Sequence, residues 1–245
     1  MLRIGGITEI STIDYPGEVV SVLYLCGCNF SCPFCHNYEL LNGKNCIKLS
    51  EESIVENIMQ NYPIISGVCI TGGEPTLQID GLIKLCKMLK NNNLLVKLDT
   101  NGYYPERIKK LLNHVDYISM DIKTVFDDER YSQIAGVSDC VGRVKKSLEI
   151  IRDSGVEFEA RTTIVPSLIY EKDDIIAIAE VLKSYGVKLY ILQQFRGEKG
   201  TLDKAFSNLA SPGRNYLIEI AKEIKAKNMI PDVRVRTAEG GEEKI

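Results

Sequence analysis

Two rhythms alternate along the chain. Short runs rich in apolar and β-branched residues fall at 19–25, 67–71, 94–98, 116–120, 158–165 and 187–192, the pattern of buried strands. Between and after them lie stretches with apolar residues on one helical face, at 50–60, 79–90, 105–113, 140–153, 173–185 and 212–227. Local signals agree: Ser50 is placed to cap a helix ahead of Glu51 and Glu52, Pro105 sits in a first turn, and Gly186 closes a helix end. Strands alternating with helices predict an α/β fold with a parallel sheet and right-handed crossovers. Six such units are too few for a closed eight-stranded barrel. The remaining architectures are a curved, open partial barrel and a doubly wound sheet, and in both the chemistry belongs at the carboxyl ends of the strands. No linker interrupts the pattern, so one domain is expected over residues 1–245, with its core at about 19–195 and a C-terminal helix and tail at 212–245. The segment 195–212 reads as a lid, a partner-docking loop or a plain surface connection, 232–236 as a short edge strand, and 239–245 as a disordered tail.

The first strand runs into the chain's densest chemistry, Cys28-Asn29-Phe30-Ser31-Cys32-Pro33-Phe34-Cys35. Three thiolates this close can hold three irons of a four-iron cluster and leave the fourth iron open, whereas a closed electron-transfer cluster takes four cysteines. A zinc site would need a fourth ligand, with Cys26, Cys46 and His36 as the candidates. The other five cysteines, Cys26, Cys46, Cys69, Cys86 and Cys140, are expected to be thiols rather than disulfides; Cys69 and Cys86 fall on apolar faces and read as packed small hydrophobes.

The remaining strand ends hold residues that look unlike packing. They are Thr71-Gly72-Gly73-Glu74-Pro75, Asp99-Thr100-Asn101-Gly102, Asp121-Ile122-Lys123, Arg161 with Thr163, and Gln193-Gln194-Phe195-Arg196. Each alone is weak, since Asn-Gly is usually a turn and a strand-end Asp usually a cap. Their expected placement on one rim of one sheet makes a shared site the better reading.

With these residues in view, the chain resembles the radical S-adenosylmethionine (SAM) superfamily, through the cysteine loop after the first strand and Gly72-Gly73-Glu74-Pro75 after the second. Asp14-Tyr15-Pro16-Gly17, Gly27 to Asn37, Asp99-Thr100-Asn101-Gly102 and Asp121-Ile122-Lys123 extend the likeness to the glycyl-radical-enzyme activating enzymes, above all the activators of anaerobic ribonucleoside-triphosphate reductase, over residues 7–227. The resemblance implies a (β/α)6 partial TIM barrel, a [4Fe-4S] cluster on Cys28, Cys32 and Cys35, and SAM on the open iron. It implies reductive cleavage of SAM to a 5′-deoxyadenosyl radical, which takes hydrogen from a backbone glycine of a partner glycyl-radical enzyme, with flavodoxin or ferredoxin as reductant. It gives Phe34 to the adenine, Gly72 and Gly73 to the methionine moiety, Glu74 to the SAM amino group, Pro75 to the turn, and Lys123 to the SAM carboxylate or ribose; Arg161 takes either that role or a structural salt bridge. Asp99, Thr100, Asp121 and the Ser119 carbonyl match a monovalent-cation site of the pyruvate formate-lyase activator. That activator's last-strand histidine has no counterpart at Leu192 to Gly197, since the only histidines are His36 and His114. A radical SAM enzyme acting on a small molecule or nucleobase is the alternative.

Composition adds limits. A net charge of -3 gives no global basic field for nucleic acid or membrane, and no apolar stretch is long enough to span a bilayer. The opening residues lack a signal-peptide apolar region, so a cytoplasmic protein is expected.

Overall fold

The structure, a computed structural model, describes residues 1–41, 43 and 45–245. In chain order they form β1 (Leu2–Ser11), β2 (Val20–Leu25), α1 (Tyr38–Leu41), β3 (Ile47–Leu49), α2 (Glu51–Met59), β4 (Gly67–Gly72), α3 (Ile79–Asn91), β5 (Leu95–Thr100), α4 (Pro105–Leu111), β6 (Tyr117–Asp121), α5 (Asp128–Ala135), α6 (Cys140–Ser154), β7 (Glu157–Ile164), α7 (Lys172–Ser184), β8 (Leu189–Gln194), α8 (Lys204–Ser207), α9 (Arg214–Ala226), β9 (Asp232–Thr237) and β10 (Gly241–Lys244).

These strands make one sheet in the order β10-β9-β8-β7-β6-β5-β4-β2-β1-β3. From β2 through β9 neighbours pair in parallel; β1, β3 and β10 add antiparallel edges. The parallel strands follow one another in chain order without a reversal, so the switch point of a doubly wound sheet is missing. The fold is the open α/β partial barrel. Its outer face carries the main core, in which α3 contributes Leu82, Leu85, Cys86 and Leu89. Its inner face carries an apolar cluster at the base, where Tyr15, Val20, Val22, Cys69 and Tyr117 meet and the Tyr15 and Tyr117 rings lie 5.5 Å apart. Cys69 and Cys86 are buried as read, and the Ser50 hydroxyl caps α2 by accepting from the Ser53 amide at 3.1 Å.

Three expectations are corrected. Residues 232–237 are not an edge strand: β9 pairs with β8 on one side and β10 on the other. Residues 241–244 are β10 rather than part of a disordered tail, held by Arg234 and Arg236 on Glu242 and by Arg214 on Glu243. Cys26 and Cys46 form a disulfide. The reason lies in β1, where Ile4 pairs with Leu25 of β2 on one side and Ile47 of β3 on the other. Cys26 follows Leu25 and Cys46 precedes Ile47, so β1 brings the two thiols together.

Candidate active site

The inward-facing side chains of the parallel strands meet in one cavity of about 490 Å³ at the carboxyl end of the sheet. Tyr24, Thr71, Asp99, Asp121, Arg161, Gln193 and Arg236 line it, one from each parallel strand, and Cys28, Cys32 and Cys35 close its top. The volume is that of an ordinary small-ligand pocket. The cysteine loop is held from three sides. Glu74 donates its amide to Gly27 O at 2.8 Å, Ser31 donates to Ala135 O at 2.8 Å, and the segment after β8 donates from Leu202 to Cys35 O and from Asp203 to Pro33 O. His36 contacts Gly200 O through Nδ1 at 2.9 Å and stacks on Phe195 with ring centroids 5.6 Å apart. The 195–212 segment is therefore a strap across the back of the loop.

Below the cysteines runs an unbroken chain of charges. Lys97 Nζ meets Asp99 Oδ1 at 2.5 Å; Arg161 Nη1 meets Asp99 Oδ2 at 3.2 Å; Arg161 Nε meets Asp121 Oδ1 at 3.0 Å; Lys123 Nζ meets Asp121 Oδ2 at 2.9 Å. Alternation along β5, β6 and β7 puts these side chains on the inner face. Burial alone would raise both carboxyls, but Arg161 first, then Lys97 for Asp99 and Lys123 for Asp121, hold them below the usual carboxylate range. Burial likewise opposes the three cationic charges, and the facing carboxylates overcome it and raise all three.

A family model, that of the radical SAM superfamily, matches residues 22–182. A Methanocaldococcus jannaschii protein named as a candidate glycyl-radical enzyme activating enzyme is 35% identical over 244 residues, 97% of each chain. The chain belongs to the radical SAM superfamily, among the glycyl-radical enzyme activating enzymes. The pyruvate formate-lyase-activating enzyme of Clostridium pasteurianum is 30% identical over 192 residues, 75% of this chain and 77% of that one. The crystal structure of a domain of pyruvate-formate lyase-activating enzyme from Bacteroides vulgatus superposes with a TM-score of 0.57 at 15% identity, over 70% of this chain and 99% of that one; this likeness is one of fold.

The donor set fits the cluster that radical SAM enzymes carry. Cys28, Cys32 and Cys35 are free and share the cavity wall. The Cys28 sulfur already accepts from the Phe30 amide at 3.3 Å and from Asn101 Nδ2 at 3.9 Å, the kind of donors that tune a ligating thiolate. Burial pushes the Cys28 and Cys32 thiols up to about 12 and raises Cys35 as well, so metal loading must displace protons. The cavity beneath has room for a ligand of the size of SAM, and Phe34, Gly72, Gly73, Lys123 and Arg161 are among the residues that line it.

Glu74, expected on the ligand, is elsewhere. Glu74 is fully buried away from the cavity, and its carboxylate accepts from Thr76 N, Thr76 Oγ1, Thr100 Oγ1 and Asn101 N. It ties the end of β4 to the end of β5, with Pro75 starting the 3-10 turn that it caps (Pro75–Gln78). Thr100 lines the cavity but spends its hydroxyl hydrogen on that carboxylate. Gly72, at φ +120, and Gly73 are glycines because Cβ atoms would lie 2.3 Å from Leu25 O and 2.0 Å from Gly27 O. Their first duty is the strand-to-loop packing that brings β2 against β4.

The place expected to hold a cation, at Asp99, Thr100, Asp121 and the Ser119 carbonyl, already holds three cationic side chains. All four carboxylate oxygens of the two aspartates already face Lys97, Arg161 or Lys123. The structure also brings in residues that were not assigned to the site. Asp14 and Tyr24 rise from the base, Asn37 fixes the Gly72 carbonyl through Nδ2 at 3.0 Å, and Arg236 enters from β9. Asp14 and Asn37 lie within the stretches that carry the family likeness, which was the available signal; Arg236 lies outside them.

Proposed function

We propose that this protein is an activase that installs a glycyl radical in a partner enzyme, and that the partner is an anaerobic ribonucleoside-triphosphate reductase. The observation that carries the reading is the joint placement of three free cysteines, a SAM-sized cavity and a charge chain at the mouth of a sheet that does not close. The open side of such a barrel leaves room for a segment of a large substrate. Cys28, Cys32 and Cys35 would hold the cluster, and the cluster with SAM, given an electron from a donor of the flavodoxin or ferredoxin kind, would supply the radical chemistry that takes hydrogen from the partner's glycine. The chain's own part is to bind, orient and shield. Phe34 packs the adenine, Lys123 takes the SAM carboxylate from its perch on Asp121, and Asn37 keeps the Gly72 carbonyl turned into the cavity. Abstraction of a hydrogen atom needs no general base, so the lack of a histidine on β8, where Gln193 lines the cavity, leaves the reaction intact and argues against a pyruvate formate-lyase as the partner.

The test is electron paramagnetic resonance on the reconstituted, reduced protein with SAM and, in separate mixtures, an anaerobic ribonucleotide reductase and a pyruvate formate-lyase. A glycyl doublet in the reductase mixture is expected. A doublet only with pyruvate formate-lyase overturns the partner, and SAM cleavage with no doublet in either overturns the activase reading.

A further inference from the structure

We infer that the Arg161 guanidinium is the resident cation of this site, standing where a metal ion would otherwise balance Asp99 and Asp121, and that removing it opens a place for a small cation. The geometry is specific. One guanidinium spans both carboxylates, reaching Asp121 through Nε at 3.0 Å and Asp99 through its terminal nitrogens at 3.2 Å. Arg161 is 11% exposed and Asp99 is 12% exposed, so neither is a surface pair swung together by chance. The outer oxygens are closed by Lys97 on one side and Lys123 on the other. Three cationic side chains already face the two carboxylates, so a further small cation would enter a place whose negative charge is balanced and meet repulsion from its neighbours. The Thr100 hydroxyl is tethered on both sides, donating to Glu74 and accepting from the Gly102 amide at 3.2 Å.

The placement follows from register. Asp99 pairs with Ser119 across β5 and β6, and Asp121 pairs with Arg161 across β6 and β7. Arg161 therefore reaches Asp121 directly and Asp99 on the diagonal. A planar fork can serve two carboxylates at once, which a lysine ammonium does less well. Glu159, two residues earlier on the same face, is turned to the Tyr117 and Ser119 hydroxyls at 2.9 and 2.6 Å and does not compete for Arg161. In the assembled site Arg161 acts as a positioning residue: it fixes Asp121, and Asp121 holds Lys123.

The inference does not depend on which partner is activated, and its main readout needs no turnover. The full chain, with its cluster reconstituted without oxygen, is unfolded thermally in potassium, sodium or choline chloride at equal ionic strength. SAM affinity is measured in the same three salts. The wild-type midpoint and affinity are expected to be the same in all three. Arg161→Ala is expected to unfold roughly 10 °C lower in choline, and to regain part of that loss in a saturable way in potassium or sodium. Adding Asp99→Asn should abolish the recovery. A saturable, ion-specific rise in the wild-type midpoint or affinity overturns the inference, and decides the matter even where the variant fails to fold. Equal midpoints for wild type and Arg161→Ala in choline also overturn it, as does a lowered midpoint that no small cation restores.

Discussion

At the scale of single residues, the buried charge chain is where sequence and environment conflict most. Lys97 is 2% exposed on a strand that would otherwise read as apolar, and its burial is tolerable only because Asp99 faces it. Removing one partner of such a pair leaves a charge stranded. Asp99→Asn is therefore expected to cost about 3–5 kcal/mol near neutral pH, read as the shift in urea midpoint. The sign of its pH dependence follows from the direction of the Asp99 shift. The folded carboxyl is held below its unfolded value, so its contribution is complete above about pH 4, the ordinary aspartate value, and fades as the pH falls toward the depressed folded value. The gap between wild type and Asp99→Asn should close on acidification from about pH 4 downward. A gap that persists unchanged down that range would show that Asp99 stabilises by packing rather than by charge.

Among the elements, what was legible depended on how local the signal was. The six expected strands and six expected helices carry their own periodicity, caps and stops, and each stood near its expected position, whereas α5 (Asp128–Ala135) and the single-turn α1 and α8 were not foreseen. Nor were the three edge strands. β1 is broken by Gly5 and Gly6 and shows no clean alternation, and β3 spans only Ile47–Leu49, so neither announces itself without the other. That blind spot hid the Cys26–Cys46 disulfide, because the two thiols are neighbours only across β1. A checkable consequence is the thiol count: alkylation of the denatured, metal-free chain should modify six of its eight cysteines without reductant and all eight after reduction. The cysteine loop, Asp99, Asp121, Lys123 and Arg161 were readable because a strand end places chemistry predictably. Glu74 was misjudged for the opposite reason: its donors come from the next strand and a short turn, contacts that no local pattern encodes. The strap was equally opaque, having little periodicity of its own. Its amide bonds to Pro33 and Cys35 imply that it holds the loop rigid around the cluster. Leu202→Pro removes the donor to Cys35 O, and is expected to speed iron loss to a chelator several-fold while leaving the helical signal in circular dichroism unchanged.

For the molecule as a whole, the decisive property is that the sheet is curved but not closed, with β3 at one edge and β10 at the other. A closed barrel has no edge to protect; this one must finish both. The C-terminal hairpin does so on the β8 side. β9 buries Val233 and Val235 completely, sends Arg236 into the cavity, and is itself covered by β10 through the arginine pairs on Glu242. Burying two such valines contributes about 3–5 kcal/mol, and the parallel ladder to β8 adds to it, against a total stability on the order of 5–15 kcal/mol for a domain. A chain ending at residue 230 is therefore expected to expose the β8 edge, bind a hydrophobic dye, and take up iron poorly. A chain ending at residue 240 removes β10 alone, keeps the buried valines and the Arg236 lining, and should fold, with a lowered melting midpoint and faster amide exchange confined to β9. The two truncations separate the functions of the two strands. If both behave alike, or if the shorter chain folds and binds SAM as the full one does, then β9 is an ornament on a barrel that ends at β8, and Arg236 has no part in the site.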